Sequence, residues 1–177
     1  IPKSVSSVGS YAFQGCTSLA HVDIDARSIG SYAFSGAGVQ TLLIGESVSS
    51  IDSRAFEGCS GLRNLTLNSS TLASSPYSTA FSQFRSTLTK LVVGSAVSSI
   101  GTYKFNQFAS LRYVEIPSSV TQIGSNAFGR CSRLQSIVIP KSVSSVGSYA
   151  FQGCTSLAHV DIDARSIGSY AFSGAGV

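Results

Sequence analysis

The sequence is poor in charge, in cysteine and in histidine, and it contains no Met and no Trp. Charged residues make up 11% of its 177 residues, with a formal net charge of +4, four Cys and two His. The twelve Lys and Arg are scattered and form no basic run that would follow a phosphate backbone, so we expect no nucleic-acid partner. No apolar run approaches the roughly 18 residues of a membrane span, so we expect no membrane insertion by this segment.

The absence of Met also means that there is no initiator residue, and no basic and then apolar leader precedes Ile1. We therefore expect the sequence to be an internal or processed piece of a longer chain.

Internal repetition dominates what is present. Residues 1–39 recur letter for letter as residues 139–177, which sets a long period of 138 residues. A shorter period appears when the chain is divided at recurrent apolar residues, giving units of 23, 20, 23, 26, 23 and 23 residues. The dividing residues are Ile1, Ile24, Ile44, Leu67, Val93, Ile116, Ile139 and Ile162. Units of this length are typical of solenoid turns. We therefore predict a single solenoid segment over residues 1–177, with a six-turn block at 1–138 and the start of an identical block at 139–177.

Each unit arranges its apolar residues in a pattern that predicts short strands. The consensus is I-P-x-S-V-x-x-I-G-x-x-A-F-x-x-C-x-x-L-x-x-V-x-I, and its L-x-x-V-x-I segment alternates as a half-buried strand does. The recurrent Gly before Ala-Phe is expected to ease a tight bend. We expect the phenylalanine of every unit to stack in one continuous ladder: Phe13, Phe34, Phe56, Phe81, Phe105, Phe128, Phe151 and Phe172.

Two units depart from the consensus. The second unit, from Ile24 to Ile44, is three residues short, and the fourth carries an insertion around Ser70 to Thr79 that contains Pro76. We expect the coil to be least regular in these two turns.

The consensus resembles the leucine-rich repeats of the BspA type, which carry the same I-P-x-S-V-x-x-I-G-x-x-A-F-x-x-C-x-x-L pattern, and the resemblance covers the whole chain. It implies a mainly β, right-handed leucine-rich-repeat solenoid with short strands on each turn. It also implies an extracellular or cell-surface location, and a role in adhesion and binding on bacteria or protists.

Cysteine and histidine positions give little support for a metal site or a catalytic centre. The slot of Cys16, Cys59, Cys131 and Cys154 is held by Ala or Phe in other units, which indicates a core slot and free thiols. Only Cys131 and Cys154 lie on adjacent turns, so a bridge between them stays open. Zinc is disfavoured because closely spaced ligand pairs are absent. His21 and His159 are one repeat position seen twice, so we expect no catalytic site, no metal and no cofactor.

Three surface features are candidates for contact or modification. Asn64 and Asn68 each begin an N-x-S/T acceptor motif, which would carry glycan in a eukaryotic secreted protein and would be chance in a bacterium. A set of tyrosines is expected at the corner of the coil, where it would bind a partner or simply pack: Tyr11, Tyr32, Tyr103, Tyr149 and Tyr170. On the outward face of the strands, three successive turns present Arg63, Lys90 and Arg112, a mildly basic surface for an acidic partner.

Two functions fit this pattern. The exact 39-residue identity favours a non-enzymatic extracellular fibre or stalk of tandem six-turn blocks, continued in the same chain or by end-to-end self-association. The alternative is a cell-surface adhesin ectodomain that binds a host protein or a glycan, which the resemblance and the irregular fourth unit favour.

Overall fold

A computed structural model describes residues 1–77 and 79–177; Ser78, inside the predicted insertion, lies outside the described residues. The chain forms a parallel β-solenoid of about seven turns with very little helix. The predicted mainly β solenoid with short strands on each turn is confirmed.

Each turn contributes one longer strand, hereafter the long strand. The long strands are His21–Ile24, Thr41–Ile44, Asn64–Leu67, Lys90–Val93, Tyr113–Glu115, Ser136–Ile139 and His159–Ile162. The first five form one parallel sheet and the last two form another. Inward and outward residues alternate as the sequence predicted, because the second and fourth residues of each full strand face the core. In the first long strand Val22 and Ile24 are buried while His21 and Asp23 are exposed.

A second set of parallel strands, which the sequence analysis did not predict, lies on the V-x-x-I segment of each unit. These short strands are Ser7–Val8, Ser28–Ile29, Ser50–Ile51, Ser99–Ile100, Gln122–Ile123, Ser145–Val146 and Ser166–Ile167. The first three form one sheet and the last four another. In the fourth turn the helix Ser70–Ser74 interrupts the set, capped by the Ser69 hydroxyl, which accepts a hydrogen bond from the Leu72 N–H.

The corner glycines allow close approach between turns, and this corrects the expected role of a bend. None of them has a positive φ, so their conformation is open to any residue. A Cβ on Gly124 would lie 2.6 Å from the Thr102 nitrogen of the preceding turn, and one on Gly30 would lie 2.9 Å from the Ser10 nitrogen. The backbone of one turn therefore rests directly on the glycine of the next.

The phenylalanine ladder exists, but it is broken at the fourth turn, so the prediction of one continuous ladder was wrong. Rings stack at centroid separations of 5.0–5.6 Å in two separate runs, Phe13–Phe34–Phe56 and Phe105–Phe128–Phe151–Phe172. Between them Phe84, not Phe81, meets Phe56, at 6.1 Å and tilted by 59°. The insertion displaces Phe81 from the stack, and the 3-10 turn Ser82–Phe84 brings Phe84 inward instead.

The short second unit does not disturb the coil. Ala26 is fully buried between the long and short strands of that turn, and only three residues join them. The long strands on either side keep full register, with Val22 opposite Leu42 and Leu42 opposite Leu65. The expected irregularity is therefore confined to the fourth turn.

Candidate functional site

An aromatic column runs along one corner of the solenoid, two residues after the corner glycine in the turns that have one. This tyrosine column consists of Tyr11, Tyr32, Tyr77, Tyr103, Tyr149 and Tyr170, with Arg54 and Asn126 in the two remaining turns. Its rings form three stacked pairs, Tyr11–Tyr32, Tyr77–Tyr103 and Tyr149–Tyr170, at centroid separations of 5.2–5.3 Å and within 10° of parallel.

Tyr77 is the member that the sequence analysis missed. It stands four residues before Phe81, whereas the other tyrosines stand two residues before their Phe, because the insertion alters the spacing. The Tyr77 N–H nevertheless donates to the Thr102 carbonyl at 2.9 Å, the bond that this slot makes in other turns.

The tyrosines occupy a backbone conformation that disfavours large side chains. All six have φ between 56° and 62°, in the left-handed region. That region costs a residue other than Gly or Asn about 1–2 kcal/mol. Asn126 has φ 55° in the same slot, so the slot accepts the residue for which this conformation costs least. Stacking within the three pairs is a contact that the tyrosine side chains make in this conformation and that Asn would not make.

The third turn is built differently. Arg54 has no positive φ, its N–H donates to the Asp52 carboxylate at 2.9 Å, and Asp52 replaces the corner glycine. The Arg54 guanidinium lies 5.7 Å from the Tyr32 ring centroid and donates to the Tyr32 hydroxyl at 2.9 Å. Arg54 thus covers the outer face of the first tyrosine pair by a cation–π contact.

The strand face places the predicted basic residues in two columns, not one row. Arg63 and Arg112 each directly precede their strands. The Arg112 N–H donates to the Thr89 carbonyl in the turn between them, and the Thr89 N–H donates to the Arg63 carbonyl. Lys90 lies one position later, on the outward face. It forms a 2.6 Å ion pair with Glu115 of the next turn, and both side chains are about half exposed. Of the three basic residues, Lys90 is the one that lies on a strand and faces outward, and Glu115 neutralises its charge.

The two glycan-acceptor asparagines differ in environment. Asn64 is exposed and outward on its strand. Asn68 is half-buried, its side-chain oxygen accepts a 2.9 Å hydrogen bond from the Ala96 N–H, and it packs against Gly94. In its acceptor motif Ser69 is buried and donates to the Val48 carbonyl at 2.6 Å. Asn68 is therefore part of the contact between turns, whereas Asn64 is free to carry a substituent.

All four cysteines are free thiols. Cys59, Cys131 and Cys154 are buried, and each donates to the carbonyl of a Phe on the preceding turn at 3.0–3.2 Å. Burial raises the pKa of Cys154 to about 12 and that of Cys131 well above its usual value. Cys16 has the same local sequence as Cys154 but is exposed on the first turn. Three thiols therefore fill the core as small apolar groups.

Lys104 is a buried charge that the sequence analysis did not single out. It occupies the Ala position before Phe105 and is 3% exposed. Its ammonium donates to the Ser75 hydroxyl at 3.0 Å and to the Tyr77 carbonyl at 3.3 Å. Burial lowers the pKa of Lys104 to about 8. The lysine ties the inserted segment of the fourth turn to the fifth, and the signal in the sequence was a charged residue in a slot that other units give to Ala.

Within residues 1–77 and 79–177 no three His, Cys, Asp or Glu side chains come close enough together to hold a metal ion. The same residues include no helix whose length and apolar character would let it traverse a bilayer.

The stacked turns, the parallel strands and the recurrent core slots define a leucine-rich-repeat solenoid. A sequence profile of the BspA type leucine rich repeat region, in six copies, matches residues 1–84 and 74–177. The chain belongs to the BspA-type leucine-rich repeat family.

Solved structures of bacterial leucine-rich repeat proteins are similar to the chain. One from T. pallidum is 29% identical, with a TM-score of 0.54, over 96% of this chain and 70% of its own. One from Bacteroides ovatus is 22% identical, with a TM-score of 0.42, over 98% and 69%. A leucine rich cell surface protein from Faecalibacterium prausnitzii is 25% identical, with a TM-score of 0.40, over 91% of this chain and 58% of its own length. No curated protein sequence matches the chain.

Proposed function

We propose that this chain is part of a non-enzymatic extracellular or cell-surface structural protein, in which six-turn blocks repeat in tandem to form a stiff rod or stalk. One observation carries the proposal. The border between the 138-residue block and the identical 39-residue start of a second copy falls inside the long strand Ser136–Ile139, which pairs in full register with His159–Ile162. A linker is therefore not needed between blocks, and each further copy extends the same core.

The two copies of the identical segment support this proposal. Phe151, Cys154 and Leu157 are fully buried by the preceding turn, whereas the same letters at Phe13, Cys16 and Leu19 are only partly buried or exposed. The sixth turn buries the seventh, and the first turn has the same sequence as the seventh. A second copy of the sixth turn would therefore bury the exposed face of the first turn. Continuation of the chain and end-to-end self-association would both use that fit.

The assignment as non-enzymatic rests on repeat positions. His21 and His159 occupy the first outward position of their strands, which is held in the intervening turns by Thr41, Asn64, Lys90, Tyr113 and Ser136. His21 stands beside Thr41 and His159 beside Ser136, but among the described residues no hydrogen bond joins the two side chains of either pair and no third side chain orients either imidazole. The strand face therefore offers polar side chains without an assembled base and nucleophile.

A second candidate, a cell-surface adhesin, is favoured by the tyrosine column. Exposed aromatic side chains held in an unfavourable backbone conformation are typical of surfaces that contact a partner. In this alternative the same solenoid would present a host protein or glycan site on its corner or strand face.

Electron microscopy of the native surface material distinguishes the two. The rod predicts continuous thin filaments with an axial repeat of about 29 Å, which is six strand spacings. Discrete, finite curved particles without that repeat would overturn the rod and leave the adhesin.

A further inference from the structure

The tyrosine column has a repeating order of two tyrosines followed by one polar residue. Arg54 and Asn126 are the polar residues; they stand three turns apart, on either side of the Tyr77–Tyr103 pair. Arg54 covers the ring of Tyr32 with its guanidinium. The Asn126 side chain is far smaller, and it forms no hydrogen bond with any described residue. The sixth turn therefore leaves a gap in the column where the other turns hold a large side chain.

The width of this gap follows from the fixed spacing of the turns. The Tyr103 N–H donates to Ser125 at 2.9 Å and the Asn126 N–H donates to Ser148 at 3.0 Å, so Tyr103, Asn126 and Tyr149 stand on successive backbone rungs. Stacked neighbours in the column lie about 5.2 Å apart, which places the Tyr103 and Tyr149 rings about 10 Å apart. A ring inserted midway would lie about 5 Å from each, within the range of aromatic stacking contacts.

A polar groove begins beside the gap. Its volume is about 370 Å³, and its lining comes from the short strands and corners of the fourth to seventh turns. Thr102 and Ser125, which directly precede Tyr103 and Asn126, are part of that lining, together with Ser99, Gln122 and Ser145. The lining residues carry hydroxyl, amide and backbone groups, and none of them is ionisable. The volume is at the small end of the range for ligand sites, about 300–1,000 Å³.

We propose that this site binds a neutral oligosaccharide, with one pyranose ring between Tyr103 and Tyr149 and the adjoining sugars in the groove. A pyranose offers apolar C–H faces to aromatic rings and hydroxyls at its edge. The Asn126 amide, which can both donate and accept and forms no side-chain hydrogen bond with a described residue, stands on the same rung and is available to those hydroxyls. The groove supplies further hydroxyl partners and no charge, so it suits an uncharged sugar better than an acidic sugar or a charged peptide.

This inference does not depend on the tandem rod, because the gap lies within one block. In a rod, however, the site would recur once per block, and sites about 29 Å apart would bind a glycan-coated surface with avidity.

The test uses the 177-residue chain, an array of neutral and acidic oligosaccharides, and titration calorimetry with the neutral sugars that bind. The decisive variant is Asn126→Tyr, which fills the gap with the residue that six other turns hold and so preserves the fold. The second variant is Tyr103→Leu, which keeps apolar volume but removes one aromatic face. Tyr11→Ala is the matched control, since it alters a tyrosine pair far from the gap.

We expect neutral oligosaccharides to bind the native chain, Asn126→Tyr to abolish binding, and Tyr103→Leu to weaken it about tenfold, the size of one stacking contact. Tyr11→Ala should bind as the native chain does. Circular dichroism confirms that each variant is folded. Retention of binding by Asn126→Tyr, equal loss in Tyr11→Ala, preference for acidic sugars, or no binding across the array would each overturn the proposal.

Discussion

Substituting Gly147 and Gly9 with alanine tests the packing of successive turns with an internal control. The two glycines have identical local sequences, and neither has a positive φ, so alanine suits both backbones. They differ in whether the backbone of a preceding turn packs against them. A Cβ on Gly147 would collide with the backbone nitrogen of Ser125, whereas a Cβ on Gly9 meets nothing within 4 Å.

The expected magnitudes follow from this difference. Overpacking against a hydrogen-bonded backbone costs about 1–3 kcal/mol. Replacing Gly by Ala in a compatible conformation stabilises by about 0.4–1 kcal/mol through the unfolded chain. Gly147→Ala should therefore lower the free energy of unfolding by about 1–2 kcal/mol, which is about 2–8 °C in Tm for a chain of this size. Gly9→Ala should leave it unchanged or raise it by up to about 1 kcal/mol.

The assay is urea and thermal unfolding of the 177-residue chain, followed by far-ultraviolet circular dichroism. Val8→Ala is the control for fraying of the first turn, because Val8 is buried beside Gly9 and its truncation must register if the assay senses that turn. Equal shifts for Gly147→Ala and Gly9→Ala, with a clear loss in Val8→Ala, would refute the close approach of turns at the corner.

Three further predictions follow from individual side chains. Because burial lowers the pKa of Lys104 from 10.5 to about 8, the unfolded chain binds the extra proton between those values. The stability difference between the native chain and Lys104→Ala should therefore shift in favour of the native chain by about 3 kcal/mol as pH rises from 8 to 10.5, and a pH-independent difference in urea unfolding would contradict this. A thiol reagent should label Cys16 rapidly and Cys154 only on unfolding, as peptide mass spectrometry would show; equal rates would be incompatible with the burial. On secretion from a eukaryotic cell, Asn64→Gln should remove the glycan detected by mass and Asn68→Gln should not, and the reverse pattern would contradict the placement of the two side chains.

The regular turns were predictable from sequence because each apolar letter has one structural role. The alternation in L-x-x-V-x-I gave Val22 and Ile24 as inward residues, and the substitution of Cys by Ala or Phe identified a core slot. The second unit, although three residues short, also keeps its inward pattern, with Leu42 and Ile44 buried.

The features that the sequence did not predict depend on altered spacing within a unit or on contacts between turns. The insertion moved Tyr77 out of the position that counting gives, so Tyr77 was missed. Counting placed Phe84 in the core slot of the cysteines, but not in the ladder, where it meets Phe56 instead of Phe81. The corner glycines carry a role that depends on the backbone of the preceding turn, which is not encoded locally. Arg63 stands four residues before Leu67, whereas Lys90 stands three residues before Val93, so the unit divisions already contain the one-position difference that the sequence prediction overlooked. Because a strand changes face at every residue, that difference separates the two side chains.

The central claim is that six-turn blocks join into one continuous solenoid, and concatenated blocks test it most directly. Chains of two, four and six copies of residues 1–138 would be compared by cryo-electron microscopy and small-angle X-ray scattering. We expect rods that lengthen by about 29 Å along their path with each added block and that show a strand repeat of about 4.8 Å without interruption at the borders. Separate particles joined flexibly, or a length that does not grow in proportion to block number, would contradict it.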